Sequence, residues 1–225
     1  MSESDKQCNN FTPDDFAWLQ NELADTYWRW MNWKKLFMPD GSSDAREDDS
    51  CDLMNNVAPA LFVTIREVLA KDVILRLCHL ADPDKTRGRD ETRENFSLAN
   101  AVATMRSRLD TQRQTAADAA LADFMKLMPS MKELRNRKLA HRDLADLHRQ
   151  IHVPIKEIDM AVDAAIRVVR HLDLKDEVRE FKYEDMIASG DADSLLCVLR
   201  EGRRAIRLKR GQVPRSGDVP RSSEA

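Results

Sequence analysis

Apolar residues recur three or four positions apart over long stretches of this chain, and they do not alternate with polar residues over the length of a strand. A spacing of this kind places apolar side chains on one face of an α-helix. With 6 glycines and 8 prolines in 225 residues, the chain is also poor in the turn residues that a β architecture uses. We therefore expect an all-α protein, a bundle of four to five main helices.

Capping residues and prolines divide the periodic sequence into separate helices. Polar side chains that accept hydrogen bonds from free N–H groups begin helices, and proline suits the first turn. A capping box at Ser130 and Glu133 is expected to open one further helix. The other predicted helices run from Thr12 to the turn at Pro39, from about Cys51 to Ala81, from Ser97 to Met105, from Asp110 or Thr111 to Pro129, from Pro154 to Leu172 and from Ala192 to about Leu208.

The length of the chain is sufficient for one sizeable core. We expect a flexible N-terminus at residues 1–10 and a helical bundle at 11–182. The C-terminal part, 183–225, should contain a short helix and a basic, disordered tail from Arg203 to Arg221. The charged stretch 87–96 is expected to be irregular.

The cysteines are scattered at positions 8, 51, 78 and 197 and form no C-x-x-C pair. The N-terminus does not resemble a signal peptide, and no apolar run reaches the ~18 residues that a membrane span requires. We expect a soluble cytoplasmic protein with reduced thiols.

The segment Met131 to Asp143, MKELRNRKLAHRD, is strongly basic in a chain whose formal net charge is -3. A local excess of cations indicates a partner that carries phosphates. The apolar residues of the segment can dock on a core while its charged side chains face outward. The cationic residues are Lys132, Arg135, Arg137, Lys138 and Arg142.

Three side chains of this segment have the chemistry that cleavage of RNA by its own 2′-hydroxyl requires. His141 can accept and donate a proton near neutral pH. Arg135 can offset negative charge on a phosphate, and Asn136 can orient the phosphate or the histidine. In an α-helix Arg135 and His141 would lie roughly 120° apart. A long arginine could bridge that gap, or a second copy across a dimer axis could complete the site.

The spacing R-N-x4-H resembles the signature of the HEPN superfamily of helical proteins. Three ordered blocks make the resemblance more specific: NNVAPALFVTIREVL from Asn55, LADPDKT from Leu80, and RNRKLAHRD from Arg135. Together they resemble the abortive-infection, U-type branch of that superfamily. Many HEPN toxins carry a tyrosine two residues after the histidine, where a partner enzyme modifies it. Asp143 stands there in this chain, so that mode of control is not expected.

The resemblance implies a metal-independent endoribonuclease toxin of an abortive-infection or toxin–antitoxin system. It implies that Arg135, Asn136 and His141 are catalytic, that no cofactor is needed, and that the chain forms a homodimer with a possible antitoxin protein as a further partner. The residues expected to bind the RNA backbone are Lys132, Arg137, Lys138 and Arg142. Asp82 and Asp143 are candidates for an accessory role. The rival hypothesis is a non-catalytic HEPN module that dimerises and binds RNA, nucleotide or a partner protein.

Several other features of the sequence have two interpretations each. The four tryptophans between Trp18 and Trp33 form either a core stripe or a platform for bases. His148 and His152 have the spacing of two metal ligands but lack an HExxH pattern, which favours exposed histidines. The acidic run before Asp52 is either a solvated loop or a metal loop. The basic tail either contacts RNA phosphates or only solubilises the chain.

Overall fold

A computed structural model of the chain describes residues 12–38, 50–87, 92–139, 151–173 and 191–209. The elements in chain order are α1 (Pro13–Phe37), α2 (Ser50–Val57), α3 (Pro59–Leu80), β1 (Lys85–Arg87), β2 (Thr92–Glu94), α4 (Leu98–Met105), a 3-10 turn (Arg106–Arg108), α5 (Thr111–Lys126), α6 (Met128–Leu134), a π-helical turn (Arg135–Leu139), α7 (Ile155–Leu172) and α8 (Ala192–Lys209). The predicted all-α class is confirmed.

Most of the predicted helix starts are confirmed, because local side chains determine them. At α1 the Thr12 hydroxyl accepts a hydrogen bond from the Asp15 N–H at 3.2 Å, and Asp15 Oδ2 accepts one from the Thr12 N–H at 2.7 Å. Ser97 accepts from the Asn100 N–H before α4, and Asp110 accepts from the Arg113 N–H before α5. These contacts satisfy N–H groups that have no partner within the helix.

The helix predicted from Cys51 to Ala81 is wrong in one respect, since it is two helices. α2 ends at Val57 and α3 begins at Pro59, with Ala58 between them. Proline has no N–H to donate and disfavours helical geometry in the residue before it. The periodic apolar pattern continues across this break, which is why the pattern alone did not reveal it.

Part of the stretch that was expected to be irregular, namely Arg87 and Thr92–Glu94, belongs to a pair of short β-strands. β1 and β2 pair antiparallel with Lys85 opposite Glu94 and Thr86 opposite Arg93. The Asn95 side chain closes the base of this strand pair by donating to the Pro83 carbonyl at 2.8 Å and to Thr86 Oγ1 at 2.6 Å. Strands of three residues are too short to show a period of two, so the sequence pattern could not indicate them.

The chain forms two compact units. The described parts of the first are 12–31, 67–87, 92–139 and 151–173, and those of the second are 32–38, 50–66 and 191–209. In the first unit α5 packs mainly against α7. Alanines on both helices, such as Ala117 and Ala161, are fully buried and permit this close approach around Phe124.

The first unit also contains most of α1, and a buried tryptophan links that helix to α7. The Trp30 indole is 1% exposed, and its N–H donates to Asp159 Oδ1 at 2.6 Å. In contrast, Trp18 is 54% exposed and meets the Phe96 ring edge to face with centroids 4.2 Å apart. The core interpretation of the aromatic stripe therefore holds for Trp30.

The second unit has a core of its own, in which α2 packs against α8. Asn32 Oδ1 accepts a hydrogen bond from the Ala192 N–H at 2.7 Å and so caps the first turn of α8. The Trp33 indole is buried and donates to the Arg66 carbonyl at 2.9 Å. The buried residues of this core are Leu36, Leu53, Met54, Phe62, Ala192 and Leu196.

α8 agrees closely with the predicted C-terminal helix. It continues to Lys209, so the first residues of the stretch expected to be a disordered tail, from Arg203 on, are helical. The rest of the predicted tail and the flexible N-terminus lie outside the described residues. The acidic run before Asp52 does so as well, except for Ser50 and Cys51 at its end.

Candidate functional site

The helix that leads into the basic segment begins earlier than the sequence predicted. α6 starts at Met128 with Leu127 as its N-cap residue, and Pro129 lies in its first turn, where a missing N–H has no cost. Ser130 is therefore inside the helix and is not its cap. Its hydroxyl donates to Glu157 Oε2 on α7 at 2.6 Å, which fixes α6 to the neighbouring helix.

The signature residues lie where α6 changes to a π-helical turn, Arg135–Leu139. Met128 and Met131, on α6, are almost completely buried and anchor the segment. A π-helical turn is wider than an α-helical one and often occurs at functional sites. The separation of roughly 120° expected between Arg135 and His141 assumed an α-helix, which Arg135–Leu139 do not form; His141 lies outside the described residues, so the angle itself stays a prediction.

Two neighbours hold the guanidinium group of Arg135. Its Nη1 donates to Asp82 Oδ1 at 3.1 Å, and its Nε donates to Asn136 Oδ1 at 3.0 Å. The Arg135 and Asp82 side chains are 22% and 33% exposed, so water only partly screens the pair. Asp82 lies two residues after the end of α3 and precedes Pro83. The fold thus brings together Arg135, Asn136 and the accessory candidate Asp82 from two distant blocks of sequence.

Lys132 makes a second contact between the same two segments. Its Nζ donates to the carbonyl of Ala81 at 2.7 Å. The last carbonyls of a helix lack partners within the helix and carry partial negative charge, so a cation at this position is favourable. Lys132 therefore stabilises the end of α3, and a contact of Lys132 with RNA stays a prediction.

Cys78, in the last turn of α3, is a neighbour of this cluster that no sequence motif indicated. The residue is fully buried. Burial raises the pKa of its thiol to about 11, while the charges of Arg135 and Lys132 lower it and that of Asp82 raises it. Near neutral pH the group is a thiol. Cys78 and Asp82 are four positions apart, which places the two residues on one side of the helix end. This spacing is the sequence feature from which their proximity could have been predicted.

The remaining predicted site residues fall into two groups. Arg137 Nε lies 3.4 Å from Glu133 Oε1, an ion pair one turn apart on a half-exposed surface, and the backbone of Lys138 belongs to the π-helical turn. His141, Arg142 and Asp143 lie outside the described residues, as does His148. His152 is described and is exposed.

The described ranges contain neither a metal-binding cluster nor a membrane-spanning helix. No group of three or more His, Cys, Asp and Glu side chains there is placed to hold a metal ion. In the same ranges, none of the helices combines the length and apolar character needed to cross a membrane.

Comparison with known proteins gave one match. No curated protein and no solved structure matches the chain. The family model HEPN AbiU2, described as AbiU2, matches residues 17–193 of the 225, a span from α1 to the first turn of α8 that includes Asp82, Arg135 and Asn136. The resemblance to abortive-infection HEPN proteins is thereby confirmed, and the chain belongs to the AbiU2 family of HEPN domains.

Proposed function

We propose that this protein is a metal-independent endoribonuclease toxin of an abortive-infection or toxin–antitoxin system. The observation that carries the proposal is the arrangement around Arg135, whose guanidinium is oriented by Asp82 and Asn136 at the start of the R-N-x4-H signature. Membership of a family of abortive-infection HEPN domains supports the setting. The site of action would be the cytoplasm.

In this mechanism the RNA supplies its own nucleophile. The 2′-oxygen attacks the adjacent phosphorus and the bond from phosphorus to the 5′-oxygen breaks. His141 accepts the proton of the 2′-hydroxyl and a proton is returned to the leaving 5′-oxygen. One product ends in a 2′,3′-cyclic phosphate, which can open to a 3′-phosphate, and the other begins with a 5′-hydroxyl.

Arg135 would stabilise the negative charge that develops on the phosphate oxygens. Its Nε and Nη1 are occupied by Asn136 and Asp82, and its Nη2 bonds to no residue in the described ranges. Two fixed nitrogens define the plane of the guanidinium and so direct Nη2. Asp82 is thus a positioning residue for Arg135. The cations that would bind the RNA backbone are Lys132, Arg137, Lys138 and Arg142.

A homodimer would place the basic segments of two copies in one cleft, so that each catalytic pair is shared. Closed two-fold symmetry is the commonest arrangement of homo-oligomers and makes such sharing geometrically simple. A cognate antitoxin protein would act by covering this cleft.

The proposal is tested with an RNA oligonucleotide and excess chelator, with a second oligonucleotide that carries 2′-deoxy at the cleaved position. Cleavage should persist with chelator and should be lost on the deoxy substrate. His141→Ala should abolish it, whereas His152→Ala, a change of an exposed histidine outside the signature, should not. Cleavage that requires a metal ion, or that survives His141→Ala, would contradict the mechanism.

A non-catalytic HEPN module is the second candidate, and one observation favours it. The charge of Arg135 is already paired with a carboxylate, Asp82, at 3.1 Å, which is also what a purely structural arginine would show. This candidate predicts that the protein binds RNA, nucleotide or a partner without yielding products, and that His141→Ala leaves that binding unchanged.

A further inference from the structure

α8 lies almost wholly beyond the family match, which ends at residue 193. One side of it faces the core of the second unit through Ala192 and Leu196. Beside that side are large apolar residues in contact with solvent: Leu195 is 36% exposed, Val198 69% and Ile206 53%. Packing against the core explains why Ala192 and Leu196 are apolar. It does not explain the apolar residues that contact solvent.

The exposed residues form a seam along the helix. Leu195, Val198, Gly202 and Ala205 are separated by three, four and three positions, which is the a/d spacing of a helix that packs against another helix. A Cβ atom added at Gly202 would meet nothing within 4 Å. The middle of the seam is therefore open to the close approach of another backbone. At about 100° per residue around the helix axis, Ile206 lies at the edge of the face that carries the seam.

The charges of α8 are distributed unequally between its ends. Asp191 precedes the helix on the line of the seam, and a hydrogen bond from the Ser194 N–H lowers its pKa, so it is ionised near neutral pH. Asp193 follows in the first turn, where it is paired with Lys35 of the same unit, so Asp191 is the acidic group left for a partner on this line. The last turns carry four cations, which are Arg203, Arg204, Arg207 and Lys209. A helix with this pattern attracts a copy of itself that runs in the opposite direction.

We propose that α8 is a self-association surface, on which the α8 helix of a second copy packs antiparallel. Matching a to d positions pairs Leu195 with the partner subunit's Ala205 and Val198 with the partner subunit's Gly202. The same register brings Asp191 opposite the partner subunit's Lys209. Thus apolar spacing and charge agree on one orientation and one alignment.

Glu201 lies beside the seam and, in this alignment, would come near its own copy close to the two-fold axis. In the structure it is already paired with Arg204, with Arg204 Nη1 and Glu201 Oε1 4.0 Å apart. An ion pair on each subunit would therefore face the axis, and this arrangement reduces the repulsion.

Analytical ultracentrifugation of the full chain at tens of micromolar tests the association directly. The wild-type chain should be a dimer, and Val198→Asp should raise the dissociation constant by roughly tenfold or more, since an unpaired carboxylate would be buried. The matched control is Val68→Asp, at a valine of α3 that is 58% exposed, and it should remain dimeric. Unchanged circular dichroism would show that both variants fold.

Oxidative cross-linking tests the alignment. Chains with Val198→Cys and chains with Gly202→Cys should form a disulfide-linked dimer efficiently when they are mixed, and poorly when each is alone. A monomeric wild-type chain, failure of the 198 and 202 cysteines to cross-link when the chains are mixed, or a Val198→Cys chain that cross-links best with itself would overturn the proposal. It would also be overturned if Val198→Asp weakened RNA binding without changing the mass. The test requires no RNA cleavage, and the cross-link between positions 198 and 202 reports the α8 contact whether or not the basic segments of two copies also meet.

Discussion

At the scale of single residues, the cluster around Arg135 is held by contacts that cross about fifty positions of sequence. Asp82 and Asn136 orient the guanidinium, and Lys132 binds the end of α3 through the Ala81 carbonyl. A partly exposed ion pair contributes on the order of 1 kcal/mol or less to stability. The function of the Asp82 contact is therefore expected to be orientation of Arg135, with little effect on folding.

Asp82→Asn tests this role. Removing the charge should leave the guanidinium free to rotate, so kcat for RNA cleavage should fall by roughly tenfold or more with little change in KM. Asp82→Glu should restore part of the rate, because it keeps a carboxylate for Nη1 of Arg135.

The matched control for this change is Asp118→Asn. Asp118, on α5, accepts from Nη2 of Arg106 in the preceding 3-10 turn at 2.5 and 2.7 Å, an exposed ion pair. The kcat of the Asp118→Asn variant should equal that of the wild-type chain. Equal rates for Asp82→Asn and the wild-type chain would show that Asp82 does not position Arg135.

At the scale of elements, stability in the first unit depends on α5 and α7. Small buried residues on both helices allow the two backbones to lie close together. Phe124 is completely buried, on the same face of α5 as the buried alanines. The side chain of the next residue, Met125, is 36% exposed. Neighbouring positions on one helix thus have opposite environments.

Phe124→Ala should lower the free energy of unfolding by about 3–5 kcal/mol, because it removes a buried ring and leaves a cavity. Met125→Ala, its neighbour, should lower it by less than about 1 kcal/mol. Urea denaturation followed by circular dichroism measures both. Similar losses for the two variants would mean that α5 does not pack through Phe124.

At the scale of the whole molecule, the chain has two units and two proposed contacts between copies, one at the basic segment and one at α8. The basic segment with Arg135 belongs to the first unit and α8 to the second. Sharing of the catalytic site is proposed from the signature residues, whereas pairing through α8 is proposed from an apolar seam and its charges. The cross-link between positions 198 and 202 reports the α8 contact, and the activity of mixed dimers reports the shared catalytic site.

Mixed dimers test whether the catalytic site is shared. Arg135→Ala and His141→Ala chains should each be inactive as homodimers. In a mixed dimer one site regains both wild-type residues if the pair acts across subunits, so a co-expressed mixture should recover about a quarter of the wild-type activity. An inactive mixture of dimers would indicate that Arg135 and His141 act within one chain.

The sequence by itself determined the features that depend on neighbouring residues. Helical period predicted the all-α class, and Thr12, Ser97, Asp110 and Pro154 marked helix starts that the structure has. Three ordered blocks of sequence were sufficient to identify the family. Caps and periodicity act within a few positions of chain, so one sequence contains all the information they need.

Tertiary structure decided what depends on residues far apart in the chain. It places Asp82 against Arg135 and Cys78 beneath the same charges, gives α6 its widened end, and leaves Val198 on α8 exposed. These results come from packing between segments that are separated by many positions. Local propensity carries no information about which distant carboxylate a guanidinium meets, or which face of an amphipathic helix the core covers.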